Sequence, residues 1–245
     1  MDDTYGAAYR DLFERHWWWR AREHVILGAL RKHQPAGGLR SVLDVGCGDG
    51  LFFDRLAAID GVELVEGVEP GANLVSPTGP HRARIHVVPF DETFDPGRSY
   101  SLVLMLDVLE HLPDPVASLR HALALLEPGG VFVATVPAFM ALWTHHDELN
   151  HHFTRYDKKS FRELAAAAGL RIDEARYFFH WTALGKLAAR AREALLPAKP
   201  ALPTVPPRPI NGALYAISRM EETLLGSVPI PFGSSLLVVG RAGTT

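Results

Sequence analysis

Val42-Leu43-Asp44-Val45-Gly46-Cys47-Gly48-Asp49-Gly50-Leu51-Phe52 is a short apolar run carrying one acidic residue, followed by glycine at alternate positions and then by a helical stretch. An apolar run this short, bounded by turn residues, reads as a buried strand. The glycines let the backbone turn sharply and approach a ligand, and the first N–H groups of the next helix face that ligand. A dinucleotide fingerprint spaces its glycines G-x-G-x-x-G, whereas these fall at 46, 48 and 50 behind Asp44. A carboxylate at the head of the loop would repel a pyrophosphate and suits a ligand with an amine. For this segment alone, a tight strand-to-helix turn without a ligand is the alternative.

Working outward, further strands are expected at Glu63 to Glu69, Arg84 to Val88, Tyr100 to Leu106 and Val131 to Val136, beside Ser41 to Val45. Helices are expected between them over roughly 51–60, 71–79 (broken by Pro77) and 115–127. That alternation implies βαβ units, right-handed crossovers and a buried parallel sheet, hence an α/β fold. Upstream, Leu12, Phe13, His16, Trp17, Arg20, Val25, Ile26 and Leu30 recur at helical spacing, predicting one helix over 8–33 that closes before Gly37 and Gly38. Downstream, 137–157 reads as loop, 158–168 as a helix with Gly169 as its C-cap, and Arg171 to Phe179 and Ser235 to Gly240 as strands. Between those two strands lie a helix over 181–196, the prolines 197, 200, 203, 206, 207 and 209, and a helix over 212–225. The single strand beyond is too short for a second domain, so 181–232 reads as an insertion.

Composition narrows the classes. Of 245 residues, 47% are hydrophobic and 22% charged, and Gly 21 with Pro 18 stays below the roughly 25–30% of low-complexity chains. Cys47 is the only cysteine, which excludes an internal disulfide and suits a reducing compartment. Lys+Arg 25 against Asp+Glu 28 gives −3, with no global attraction to nucleic acid. The best apolar stretch, Val131 to Trp143, is interrupted by Pro137 and is shorter than the roughly 18–20 residues of a membrane span. The acidic start, Met-Asp-Asp-Thr-Tyr, lacks the order of a signal peptide, so a cytoplasmic protein is expected.

Asp44-x-Gly46-x-Gly48-x-Gly50 resembles motif I of the class I S-adenosylmethionine (SAM) dependent methyltransferases. Three further blocks follow in the order of that family: Gly67-Val68-Glu69-Pro70, Asp107-Val108-Leu109-Glu110-His111-Leu112-Pro113-Asp114-Pro115, and Leu126-Glu127-Pro128-Gly129-Gly130. The resemblance covers about 40–180 plus the last strand. It implies a Rossmann-like fold: a seven-stranded, mostly parallel sheet with helices on both faces, an N-terminal helical lid and a helical insertion before the last strand. In this reading the chain is one domain, with a cap at 1–38, a SAM-binding core at 39–180 and 233–242, and the insertion at 181–232. Cofactor contacts are expected from Asp44, Gly46, Cys47, Gly48, Gly50, Glu69, Pro70, Phe90, Asp107 and Val108. Glu69 would hold the ribose hydroxyls, since a carboxylate accepts two hydrogen bonds from a vicinal diol.

Two flanks resemble a narrower bacterial group acting on sugars, glycans or natural products. His16-Trp17-Trp18-Trp19-Arg20-Ala21-Arg22 is similar to its "H-W-W-F-x-x-R-R" opening, and Trp18 and Arg22 are candidates for contacts to the acceptor. Trp143-Thr144-His145-His146-Asp147-Glu148-Leu149-Asn150-His151-His152-Phe153-Thr154-Arg155-Tyr156 is similar to its "W-S-x-H-D-x-x-x-x-H-x-x-R-Y" block, with His151 where that group tends to have glycine. Loops at the carboxyl ends of the strands line the ligand crevice of an open sheet, so this cluster belongs on the substrate side. His146 oriented by Asp147 is the first candidate base, with His111 and His152 behind it, and Arg155 and Tyr156 as acceptor contacts. Histidines also bind zinc, yet the spacing lacks a helical H-x-x-x-H or a cysteine partner, and no metal is assigned.

The reading is O-methylation of a small polar or glycosylated metabolite. N- or C-methylation, methylation of a lipid-linked sugar, and a non-catalytic SAM-binding subunit are the alternatives. No nucleic acid, a monomer or homodimer, and a membrane-surface contact through the amphipathic 181–196 complete it.

Overall fold

The computed structural model describes residues 3–195 and 203–243; the prolines at 197 and 200 lie outside the described residues. Helices α1 (Asp3–Arg15) and α2 (Trp17–Lys32) precede the sheet. Strands β1 (Ser41–Val45), β2 (Leu64–Val68), β3 (Ile85–His86), β4 (Tyr100–Leu106) and β5 (Leu126–Pro137) follow, with α3 (Phe53–Ala57) after β1 and α4 (Pro115–Ala124) before β5. The chain continues through α5 (His145–Leu149), α6 (Lys158–Ala168), β6 (Leu170–Phe178), α7 (His180–Leu195), α8 (Arg208–Leu225) and β7 (Ser235–Ala242). The strands form one sheet in the order β3-β2-β1-β4-β5-β7-β6. Neighbours from β3 to β5 pair parallel, and β7 runs antiparallel to both β5 and β6. The seven-stranded, mostly parallel sheet expected from the sequence is therefore present.

Side-chain alternation explains why these strands read as unbroken apolar runs. Leu43, Val45, Val103, Met105, Phe132 and Ala134 point into the core beneath α4 and α6, where Leu119, Phe161 and Leu164 meet them. Their neighbours Val42, Leu102, Leu104, Val131 and Val133 point to the opposite core, against Val25, Ile26 and Leu30 of α2 and Phe53 and Leu56 of α3. A sheet covered on both faces needs apolar residues at successive positions.

Several local expectations are corrected. The single helix over 8–33 is two, parted at His16, whose Nδ1 accepts from the Trp18 amide at 3.1 Å. Asn211 of α8 fixes the break: its Oδ1 accepts from the Trp17 amide and its Nδ2 donates to the Arg15 carbonyl, each at 2.8 Å. The expected helix over 71–79 is only a 3-10 turn, Ala72–Leu74. The loop over 137–157 contains α5, started by a capping box in which Thr144 and Asp147 exchange side-chain and backbone bonds. The insertion packs back on the core: Arg176 of β6 grips Glu222 of α8, Arg20 stacks on Tyr215, and Glu221 accepts from the His180 and Trp181 amides at 2.9 Å.

Candidate active site

A cavity of about 740 Å³ opens where β1, β2, β4 and β5 end, lined there by Gly46, Glu69, Asp107 and Pro137. Tyr9 and Arg10 of α1 and the first turn of α2 roof it, and Arg10 pairs with Asp49 of the glycine loop. All three tryptophans reach its wall because α2 meets the cavity with its first turn rather than along one side. Trp18 lines this wall with its ring 5.8 Å from that of Phe179.

At one end lies the glycine loop. Gly46, Gly48 and Gly50 all have positive φ, at 73°, 53° and 68°. A Cβ on Gly46 would come within 2.6 Å of Val108 Cγ2, so Val108 serves by packing under the loop, whereas around Gly48 there is open space. The Gly48 amide donates to Glu69 Oε2 at 3.0 Å and the Gly71 amide to Oε1 at 2.8 Å. Glu69 is only 6% exposed, and burial raises its pKa against those two amides. Each oxygen keeps a lone pair for the cavity.

Other expected cofactor residues stand elsewhere. Cys47 fills the space above Gly67, where a Cβ would lie 2.4 Å from its Sγ, and burial pushes its thiol pKa up. Asp44 and Cys47 line a small pocket of about 30 Å³ beneath the loop rather than the large cavity. Burial raises the Asp44 carboxyl to about 7 in spite of Arg22. Pro70 is exposed, Gly50 packs on Phe53 and His81, and neither lines the large cavity. Phe90 packs against Phe94 and His121 and does not line the cavity, whereas the segment from Ala72 to Pro77 does.

Arg22 is also corrected. It is 6% exposed, pairs with Asp107 Oδ2 at 2.7 Å and donates to Thr135 Oγ1 at 3.2 Å, beneath the cavity rather than in it. The pair holds Asp107, whose φ of 57° turns the chain at the end of β4. Tyr156 is buried, with its hydroxyl donating to the Leu109 carbonyl at 3.3 Å and its ring against Phe161, so it supports the site from behind.

The far end gathers His111, His146, Asn150, His152, Arg155 and Lys186. Asp147 is fully buried and does not turn to His146. Its Oδ1 accepts from Arg155 Nε at 2.8 Å and lies 2.8 Å from His152 Nδ1, and its Oδ2 accepts from Arg155 Nη2 and the Thr144 amide, each at 2.9 Å. Burial alone would raise this carboxyl, yet the bonds from His152 and Arg155 hold it below the ordinary carboxylate range. The histidine that Asp147 orients is therefore His152, whose ring meets His111 edge-on at 4.6 Å. Burial lowers His111 and His146 to about 4, with His152 adding to it at His111 and Lys186 at His146, so both are neutral imidazoles at pH 7.

Glu110, which sequence reasoning quoted but gave no role, is 0% exposed and lines the cavity. Both its carboxyl oxygens lack a hydrogen-bond partner among the described residues. Burial, reinforced by Asp107, raises its pKa well above the usual value. Ligand-type atoms of Glu110, His111 and His152 lie within 4.8 Å of one another.

Known proteins match this chain as follows. The family described as methyltransferase domain matches residues 8–175. A ubiquinone biosynthesis O-methyltransferase of Paramagnetospirillum magneticum is 38% identical over 121 residues, covering 45% of each chain. A protein of Mycolicibacterium smegmatis, named as a SAM-dependent methyltransferase, is 28% identical over 192 residues, covering 77% of this chain and 72% of that protein. The chain spans about half the length of most of the curated relatives it matches. Among solved structures, a chain of the complex between the Haloferax volcanii Trm112 methyltransferase activator and a methyltransferase has a TM-score of 0.62 at 23% identity, covering 99% of this chain and 96% of that one. Such a likeness shows the fold.

Proposed function

The chain belongs to the methyltransferase-domain family, and from that premise we propose that it moves a methyl group from SAM to a hydroxyl oxygen of a small polar or glycosylated acceptor. Oxygen as the accepting atom is supported by relatives named O-methyltransferases and by a histidine prepared to take a proton. The observation that carries the reading is the His152 Nδ1 to Asp147 Oδ1 pair, at 2.8 Å, across the cavity from Glu69.

When bound, the cofactor supplies an electrophilic methyl on a positively charged sulfur. Glu69 and the Gly48 cradle suit its ribose, and the wall from Ala72 to Pro77 suits the base beside it. Asp147, ionised, keeps the His152 proton on Nδ1, which leaves the Nε2 lone pair for the acceptor's hydroxyl proton. With SAM bound, removal of that proton by His152 would leave the acceptor oxygen as the nucleophile for the methyl group, with S-adenosylhomocysteine (SAH) as the other product. Asp147 then stabilises the imidazolium, while Glu110, its pKa raised by burial and by Asp107, presents to the cavity two carboxyl oxygens without a partner among the described residues. Alignment of acceptor and methyl carries most of the acceleration.

The same reading treats 1–245 as one domain, with the cap at 1–38 as lid and the insertion at 181–232 beside the acceptor. Among the described residues no helix is long and apolar enough to cross a membrane. The lone buried thiol of Cys47 suits the cytoplasm.

The Glu110–His111–His152 cluster favours one second reading, in which a divalent cation polarises the hydroxyl instead. Replacing His152 by Gln tests both, and a chelator separates them. For a base, His152→Gln lowers kcat by roughly 10²–10⁴-fold with SAH affinity within about twofold, and a chelator leaves wild-type turnover unchanged. Loss of turnover on chelation, restored by a divalent metal, would replace the base reading with the metal reading; full activity of His152→Gln would end both.

A further inference from the structure

Lys186 has no part in the chemistry above, yet α7 brings it to the acceptor end of the cavity. It makes no hydrogen bond or ion pair with any described residue. The neighbouring cation, Arg155, is satisfied: Nε and Nη2 lie on Asp147 at 2.8 and 2.9 Å, and Nη1 donates to the Ala138 carbonyl at 3.0 Å. Asp147 is neutralised by that fork and by His152. Glu193, on the same helix as Lys186, accepts from the His145 amide at 3.1 Å. The ammonium of Lys186 thus faces the cavity half-buried, near the carboxylates of Asp147 and Glu193 but without a direct hydrogen bond or ion pair among the described residues.

We propose that Lys186, with the imidazole of His146 beside it, is an anion subsite that holds a carboxylate or phosphate group of the methyl acceptor. The inference rests on the methyl-acceptor reading and names the class of acceptor. A partly desolvated ammonium without a partner carries an electrostatic cost that a bound anion offsets. His146 of α5 and Lys186 of α7 line the same cavity, and the bond from the His145 amide to Glu193 joins the two helices; burial and the Arg155 charge lower the Lys186 pKa to about 8. The Glu69 carboxylate lies at the cofactor end of the cavity and the Lys186 ammonium at the other. An anionic acceptor is therefore repelled from one end and drawn to the other, which fixes its direction relative to His152. Trp17 and Trp18 on the roof suit the uncharged body of such a molecule.

The test titrates the SAH-loaded protein with benzoate, phenyl phosphate and uncharged benzyl alcohol, comparing wild type with Lys186→Met and Lys186→Arg. In the wild type at least one charged probe binds about tenfold or more tightly than benzyl alcohol. Lys186→Met abolishes that preference, Lys186→Arg keeps most of it, and SAH affinity is the same in all three. The charged probe that loses more on Lys186→Met identifies carboxylate or phosphate as the group recognised. Equal binding of the three probes to the wild type, including no binding of any, overturns the proposal, as does an unchanged preference in Lys186→Met. Failure of SAH to bind the wild type would instead refute the methyltransferase reading beneath it.

Discussion

Glu69 receives one backbone N–H on each carboxylate oxygen. A glutamine there would set its NH₂ against one of those donors as well as losing the charge. Glu69→Gln should therefore weaken SAH by about tenfold or more, as loss of a 1.5–3 kcal/mol charge-assisted contact implies, measured by isothermal titration; unchanged affinity would remove Glu69 from the cofactor site. His151 carries a second residue-scale lesson. Its φ is 56°, the left-handed region, which explains why the resembled group tends to have glycine at this position. Relief of that strain, partly offset by the greater unfolded freedom of glycine, should make His151→Gly more stable by about 0.5–1 kcal/mol in urea unfolding. Glu69 and the glycines were legible because a strand end and its loop lie adjacent in sequence. The partner of Asp147 was not: its neighbour His146 is one residue away, but the capping box and the Arg155 fork aim the carboxylate at His152.

At the scale of elements, strands read well and helix ends read poorly. β1 and β4 have the expected bounds because both faces of the sheet are covered and most of their residues are apolar and buried. The break between α1 and α2 was hidden, since its cause is Asn211, 196 positions away from Arg15 in the chain. Removing that side chain in Asn211→Ala forfeits two hydrogen bonds at about 0.5–1.5 kcal/mol each, so a loss of about 1–3 kcal/mol is expected from denaturant unfolding. A neutral result would mean that His16 alone sets the junction. α5 was read as loop although Thr144-His145-His146-Asp147 has the spacing of a capping box, a signal obscured by the histidines around it. Lys186 could not have been assigned to the cavity from sequence, because only the fold brings α7 against the segment after β5, where Arg190 donates to the Met140 carbonyl and Glu193 accepts from the His145 amide.

For the whole molecule, the order β3-β2-β1-β4-β5-β7-β6 places the ends of β1, β2, β4 and β5 around one cavity. β5 delivers the chain into the segment that carries Asp147, His152 and Arg155, while the insertion between β6 and β7 closes the acceptor side. His111, His146, His152 and Arg155, named from the sequence, line this cavity, whereas the partner of Asp147 and the places of Glu110 and Lys186 depend on contacts between distant segments and were not readable. The central claim is that the cofactor and acceptor ends of the cavity belong to one methyl-transfer site. It is tested most directly by a crystal structure of the protein with SAH. The account predicts both ribose hydroxyls within hydrogen-bond distance of Glu69, the base against the wall from Ala72 to Pro77, and the sulfur facing His152 across the cavity. SAH bound elsewhere, or with its sulfur turned away from His152, would contradict it.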